Sequence, residues 1–81
     1  MHVTIRLFAK LKEMAGVSSL ALDLPPDTTA AQALGAVFHD EPNLAALRDA
    51  LLFAINTTYV PADACLHDGD ELAFIPPVSG G

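Results

Sequence analysis

Gly80 and Gly81 close the sequence, and the chemistry they offer is an α-carboxylate on backbone without side chains. Such a segment can enter a channel too narrow for any other residue. Small residues also collect at frayed chain ends without purpose, so the glycines gain meaning from what precedes them. Pro76 and Pro77 lack ladder donors and hold φ near the polyproline value, which stops a strand and directs the residues after it out of a sheet. The Gly81 carboxylate is therefore the candidate reacting group. Val78, Ser79 and Gly80 lie between that carboxylate and Pro76-Pro77, which set its exit.

The other chemistry-bearing residues have simpler readings. Asp68, Asp70 and Glu71 do not have the spacing of a calcium loop and read as turn residues. His2, His39, His67 and Cys65 lack metal-ligand spacing, since Cys65-x-His67 is an isolated pair and zinc needs four ligands, or three and a water. No metal is expected. Cys65 reads as a small half-buried thiol, and one cysteine excludes an internal disulfide and agrees with a reducing compartment. No Ser-His-Asp order and no phosphate-binding glycine loop is present, so the domain alone is not expected to catalyse a reaction.

The tail needs a holder. Asp68-Gly69 supplies turn chemistry, and Glu71 to Ile75 alternates as a strand, with Leu72 and Phe74 on its core face and Glu71, Ala73 and Ile75 on the other. At the other end of the chain Val3, Ile5 and Leu7 alternate as a first strand, after which Phe8 points away from the core. Leu11, Met14 and Ala15 are spaced to cover one side of a short helix capped by Gly16. Ser18, Leu20, Leu22 and Leu24 form a second period-two run ended by Pro25-Pro26.

Thr29 with Gln32 is a capping-box pattern, and Ala30, Ala33, Leu34, Val37 and Phe38 make the apolar stripe of the main helix. His39 to Pro42 breaks it. A shorter helical piece around Leu44, Leu47 and Arg48 follows, then a third strand over Leu51 to Asn56, a turn through Asn56-Thr57-Thr58, and an edge piece at Tyr59-Val60 stopped by Pro61. Two strands, a helix and further strands predict an α+β fold. The expected organisation is one domain over residues 1–75 and a tail over 76–81.

With 81 residues the chain has one modest core. Its longest apolar run, Ala50 to Ile55, is far short of the roughly 20 residues of a membrane helix, and the start, where Arg6 interrupts an alternating strand in place of a basic segment followed by an apolar one, is not expected to be a secretory signal. A cytoplasmic protein with no membrane partner is expected. The net charge of −6 disfavours nucleic acid, whose binders cluster Lys and Arg to displace counterions. A basic protein partner suits it better.

The stretch from Leu66 to Gly81 resembles the C-terminus of the small subunit of molybdopterin synthase, in the MoaD/ThiS sulfur-carrier family. That family has a Leu-x-Asp-Gly-Asp-Glu turn, an apolar strand and a terminal Pro-Pro-Val-(Ser or Thr)-Gly-Gly. Phe8-Ala9, Ala54-x-Asn56 and the overall length fit as well. The resemblance implies a ubiquitin-like β-grasp fold, a mixed sheet wrapped around one main helix with the first and last strands side by side. It also implies that an apolar patch of Phe8, Tyr59 and Ile75 docks the body on partners. Single exposed apolar residues are ordinary, but three large ones beside a reactive tail exceed scatter.

By the same resemblance the chain binds no permanent cofactor. A ubiquitin-activating-type adenylating enzyme uses ATP and Mg²⁺ to adenylate Gly81, and a sulfur donor such as a cysteine desulfurase or rhodanese turns it into a thiocarboxylate. The tail then enters the large, catalytic subunit of the synthase, in a heterotetramer, and gives its sulfur to a cyclic pyranopterin phosphate to build the molybdopterin dithiolene. Three alternatives share the fold: a thiamin-pathway sulfur carrier, a ubiquitin-like modifier joined through Gly81 to lysines, and a plain binding module in which the tail is irrelevant. The partners found with the loaded protein separate the first two from the synthase carrier, and a plain module would never be loaded.

Overall fold

The computed structural model describes residues 1–76. The expectations for Pro77, Val78, Ser79, Gly80 and Gly81 lie outside the described residues. The elements run β1 (His2–Leu7), α1 (Ala9–Ala15), β2 (Ser19–Asp23), α2 (Ala30–Val37), α3 (Leu44–Ala50), β3 (Leu52–Ile55), β4 (Thr58–Val60) and β5 (Glu71–Ile75). One five-stranded sheet has the order β2-β1-β5-β3-β4. β1 and β5 are parallel, and β1/β2, β3/β5 and β3/β4 are antiparallel. The first and last strands thus lie side by side in a mixed sheet.

The alternation in β1 buries Val3, Ile5 and Leu7, and β5 buries Leu72 and Phe74 to 0 % exposure. Register places Phe74 between Leu7 and Phe53, and the Phe53 and Phe74 rings meet edge to face with centroids 5.8 Å apart. Burying a side chain of this size contributes on the order of 1.5–3 kcal/mol, so β5 is pinned on both sides by its two neighbours and from one face by the core. α2 closes that core with Ala30, Ala33 and Leu34, each at 0 % exposure. Its start is fixed as the sequence implied: Gln32 N–H donates to Thr29 Oγ1, and Thr29 N–H to Gln32 Oε1. The next orphan donors of the helix, Ala30 and Ala31 N–H, go to the carbonyls of Ala64 and Ala62 in the β4–β5 connection.

Several expectations need correcting. The third strand does not include Leu51 or Asn56: Leu51 caps α3, donating its N–H to Arg48 O, and Asn56 leaves the strand at φ 49°. Asn56 and Thr57, both at positive φ, form the two-residue hairpin loop between Ile55 and Thr58. Met14 does not join Leu11 in the core but stays 39 % exposed. Cys65 is exposed rather than half-buried. It pairs with Thr29 in an isolated bridge that turns its neighbour Leu66 inward, to 2 % exposure, and leaves Cys65 on the outside.

Candidate functional site: the end of the central strand

β5 starts from a turn whose acids are all engaged locally. Asp70 accepts from His67 N–H through Oδ2 at 2.7 Å and from Asn56 Nδ2 through Oδ1 at 2.9 Å, and Asp68 Oδ1 accepts from His2 N–H at 2.6 Å. Gly69, at φ 87°, makes the tight corner and donates to His2 O. Asn56 Oδ1 accepts from Glu71 N–H at 2.9 Å, and Asn56 N–H donates to Glu71 O, so one asparagine ties the β3–β4 loop to the first residue of β5. Asp68 and Asp70 are turn residues, as their spacing suggested. Among the described residues no group of three or more His, Cys, Asp or Glu is placed to hold a metal ion.

At its other end β5 delivers Ile75 and Pro76. Ile75 lies on the sheet face opposite α2, half-buried, and with Phe8, Tyr59, Ala54, Ala73 and Arg6 lines a shallow cleft of about 260 Å³. The structure therefore brings together the three residues expected to dock the body. Tyr59 is 67 % and Phe8 42 % exposed, while Ile75 is more covered than its outward position implied. Arg6 orients Phe8, with its guanidinium carbon 6.0 Å from the ring centroid, and places Nη1 3.3 Å from Glu71 Oε1. Both charged side chains are about half exposed, so the pair adds at most about 1 kcal/mol and serves mainly to position the ring.

Leu52 belongs to the same face and was not anticipated. It sits directly across from Ile75 in the β3–β5 register and is 52 % exposed. The signal that could have found it is hidden, because Leu51, Leu52, Phe53, Ala54 and Ile55 are all apolar and show no alternation. Once Leu51 is assigned to the helix cap, period two puts Leu52 and Ala54 outward with Ile75 and Ala73.

A mixed sheet packed on a main helix, with the last strand in the middle and running out beside an apolar patch, defines a ubiquitin-like β-grasp protein. The sequence profile of the ThiS family matches residues 5–81, and the chain belongs to that family. It is similar to the molybdopterin synthase sulfur carrier subunits of Homo sapiens (37 % identical, covering 99 % of this chain and 94 % of that protein) and Haemophilus influenzae (38 %, 98 % and 99 %). Among solved structures it is similar to small archaeal modifier protein 1 from Haloferax volcanii, 31 % identical with a TM-score of 0.81 over 100 % of both chains. It also shares its fold with a chain in the complex of subunits 1 and 2 of the molybdopterin-converting factor from Helicobacter pylori, 22 % identical with a TM-score of 0.62 over 100 % of both chains.

Proposed function

We propose that this chain is the sulfur carrier subunit of molybdopterin synthase, with Gly81 as the residue that carries the sulfur. The observation that carries the reading is similarity along nearly the whole chain to proteins of that name at 35–39 % identity. The central position of β5 and the apolar cleft at its exit supply the mechanical part. A strand with a neighbour on each side gives the tail a fixed origin, and Phe8, Tyr59, Ile75 and Leu52 offer a partner an apolar face beside it.

A carboxylate at pH 7 is a poor electrophile, so the cycle begins with activation. In an adenylating enzyme with ATP and Mg²⁺, a Gly81 carboxylate oxygen attacks the α-phosphorus and pyrophosphate leaves. The terminal sulfur of a persulfide on the donor protein then displaces AMP to give an acyl disulfide, and a second thiol attacks the donor's sulfur, closing a disulfide there and releasing the Gly81 thiocarboxylate, which is soft, anionic and nucleophilic. Gly80 and Ser79 allow the thread to enter the large subunit, where the sulfur is passed to a cyclic pyranopterin phosphate. Two sulfurs make one dithiolene, so two loaded chains serve each product, in keeping with a heterotetramer.

The test is intact-protein and C-terminal peptide mass spectrometry after incubation with ATP, the activating enzyme and a sulfur donor. One oxygen replaced by sulfur at Gly81 is expected. Sulfur on Cys65, with loading abolished by Cys65→Ser, would overturn the mechanism. A second reading, a protein modifier joined through Gly81 to lysines, is favoured by the 31 % identity to an archaeal modifier protein. It predicts Gly81 linked to lysines of many proteins, whereas the carrier reading predicts recovery with a pterin-binding subunit. A thiazole-forming enzyme as the partner would mark the thiamin pathway.

A further inference from the structure

The consecutive residues Ile75 and Pro76 line two different concavities. Ile75 faces the sheet-side cleft, whereas Pro76 lines a groove of about 360 Å³ between α1 and α3. Leu11, at 1 % exposure, and Leu51, at 8 %, lie deepest in this groove, with Met14 on the α1 wall and Ala50 on the α3 wall. The groove stays open because α3 presents two alanines, Ala46 and Ala50, one helical turn apart, and neither can reach across to the exposed Met14. Its charged members are Lys10 and Glu41, one of each sign. It is an apolar slot at the small end of the range for ligand clefts, and suits side chains rather than a cofactor.

We infer that this α1–α3 groove is a second docking site for the large subunit that receives the tail, filled by apolar side chains at the mouth of that subunit's channel. The inference rests on the carrier reading, in which Gly81 holds the reacting group. Five residues separate Pro76 from that group, and five extended residues span no more than about 18 Å. The recipient's reacting centre therefore lies within that distance of Pro76, and the wall around its channel must press on the surface surrounding the tail root.

Size carries the argument to the helix side. A stable pair of subunits buries about 800 Å² per partner, contributed by about 20–30 residues a side, roughly a sixth of this protein's 4944 Å² accessible surface. Besides the tail itself, the sheet side offers Phe8, Tyr59 and Ile75 in the cleft and Leu52 beside Ile75 as its large apolar side chains, a small part of such an interface. Extension past Pro76 into the groove adds apolar surface that starts at the residue next to Ile75. On this inference the groove serves the large subunit, and the activating enzyme docks on the sheet side alone.

The experiment uses the full-length chain carrying a synthetic or intein-derived thiocarboxylate and the purified large subunit, with the dissociation constant read by calorimetry. Ala46→Arg, Ala50→Arg and Met14→Glu each fill or charge the groove at exposed positions, and thermal unfolding checks that each remains folded. Ala45→Arg, exposed on α3 but outside the groove, is the control. At least tenfold weaker binding is expected for the three groove variants, with the control within twofold of wild type and adenylation of the unloaded chains unchanged. Groove variants that bind within twofold of wild type overturn the inference, as does equal weakening by Ala45→Arg. Lost adenylation with intact large-subunit binding overturns it by assigning the groove to the other partner. Failure of the wild-type chain to bind the large subunit would instead overturn the carrier reading itself.

Discussion

Asn56→Ala should weaken the anchoring of β5 more than its exposed position suggests. The side chain makes two bonds at 2.9 Å, accepting from Glu71 N–H and donating to the Asp70 carboxylate, and the residue sits at φ 49°. A neutral hydrogen bond contributes about 1 kcal/mol and one to a charged group about 1.5 kcal/mol or more. Alanine in the left-handed region costs a further ~1 kcal/mol. Water replaces part of the lost bonding at an exposed site, which leaves a net loss of about 2–3 kcal/mol, or roughly 10–20 °C in Tm for a domain of this size. Urea and thermal unfolding would measure it. Asn56→Gly, which accepts the positive φ but makes neither bond, separates the backbone part and should lose about 1 kcal/mol less. A loss below about 0.5 kcal/mol for Asn56→Ala would mean that the clamp between the β3–β4 loop and β5 carries no energy.

Thr57 is a β-branched residue at φ 72° in a two-residue loop that favours glycine, so Thr57→Gly should raise stability by about 0.5–1 kcal/mol; a fall in the urea midpoint would show that the threonine is not strained. Phe8→Asp or Ile75→Asp should impair adenylation and large-subunit binding while the fold persists, since truncating a hot-spot residue typically costs about 2 kcal/mol or more; unchanged kinetics in both would make the cleft ordinary surface. Gly80→Phe should leave thermal unfolding within about 0.5 kcal/mol of wild type, as for surface changes generally, yet abolish turnover. If that variant, supplied with a synthetic thiocarboxylate, turns over like the loaded wild type, a narrow channel is not the reason for the glycine.

Local signals in the sequence were reliable where one physical cause acts alone. The Thr29–Gln32 capping box, the Gly16 cap at φ 78° and the alternation in β1 and β5 stand as the residues implied. Boundaries failed where two causes overlap. The unbroken apolar run through Leu51 and Leu52 joins a buried helix cap to an outward strand residue, and only the pairing with β5 separates them. Met14 has the helical spacing of a core residue, but α3 does not close over it, and that depends on two alanines more than thirty residues away. The role of Asn56 was invisible for a similar reason: its partners, Asp70 and Glu71, are fourteen and fifteen residues further on. The pairing of the first and last strands came from the family resemblance, since hydrophobic patterns specify faces and not neighbours.

In the carrier reading, sulfur leaves this chain from Gly81 and enters the pterin. Its most direct test is a single-turnover reaction of the thiocarboxylated chain with the large subunit and the cyclic pyranopterin phosphate, with product and protein quantified together. Two chains are expected to return to the free Gly81 carboxylate for each dithiolene formed, and the chain lacking Gly80 and Gly81 is expected to give no product. Dithiolene formed while the thiocarboxylate stays intact, or formed equally well with the truncated chain, would contradict the carrier reading.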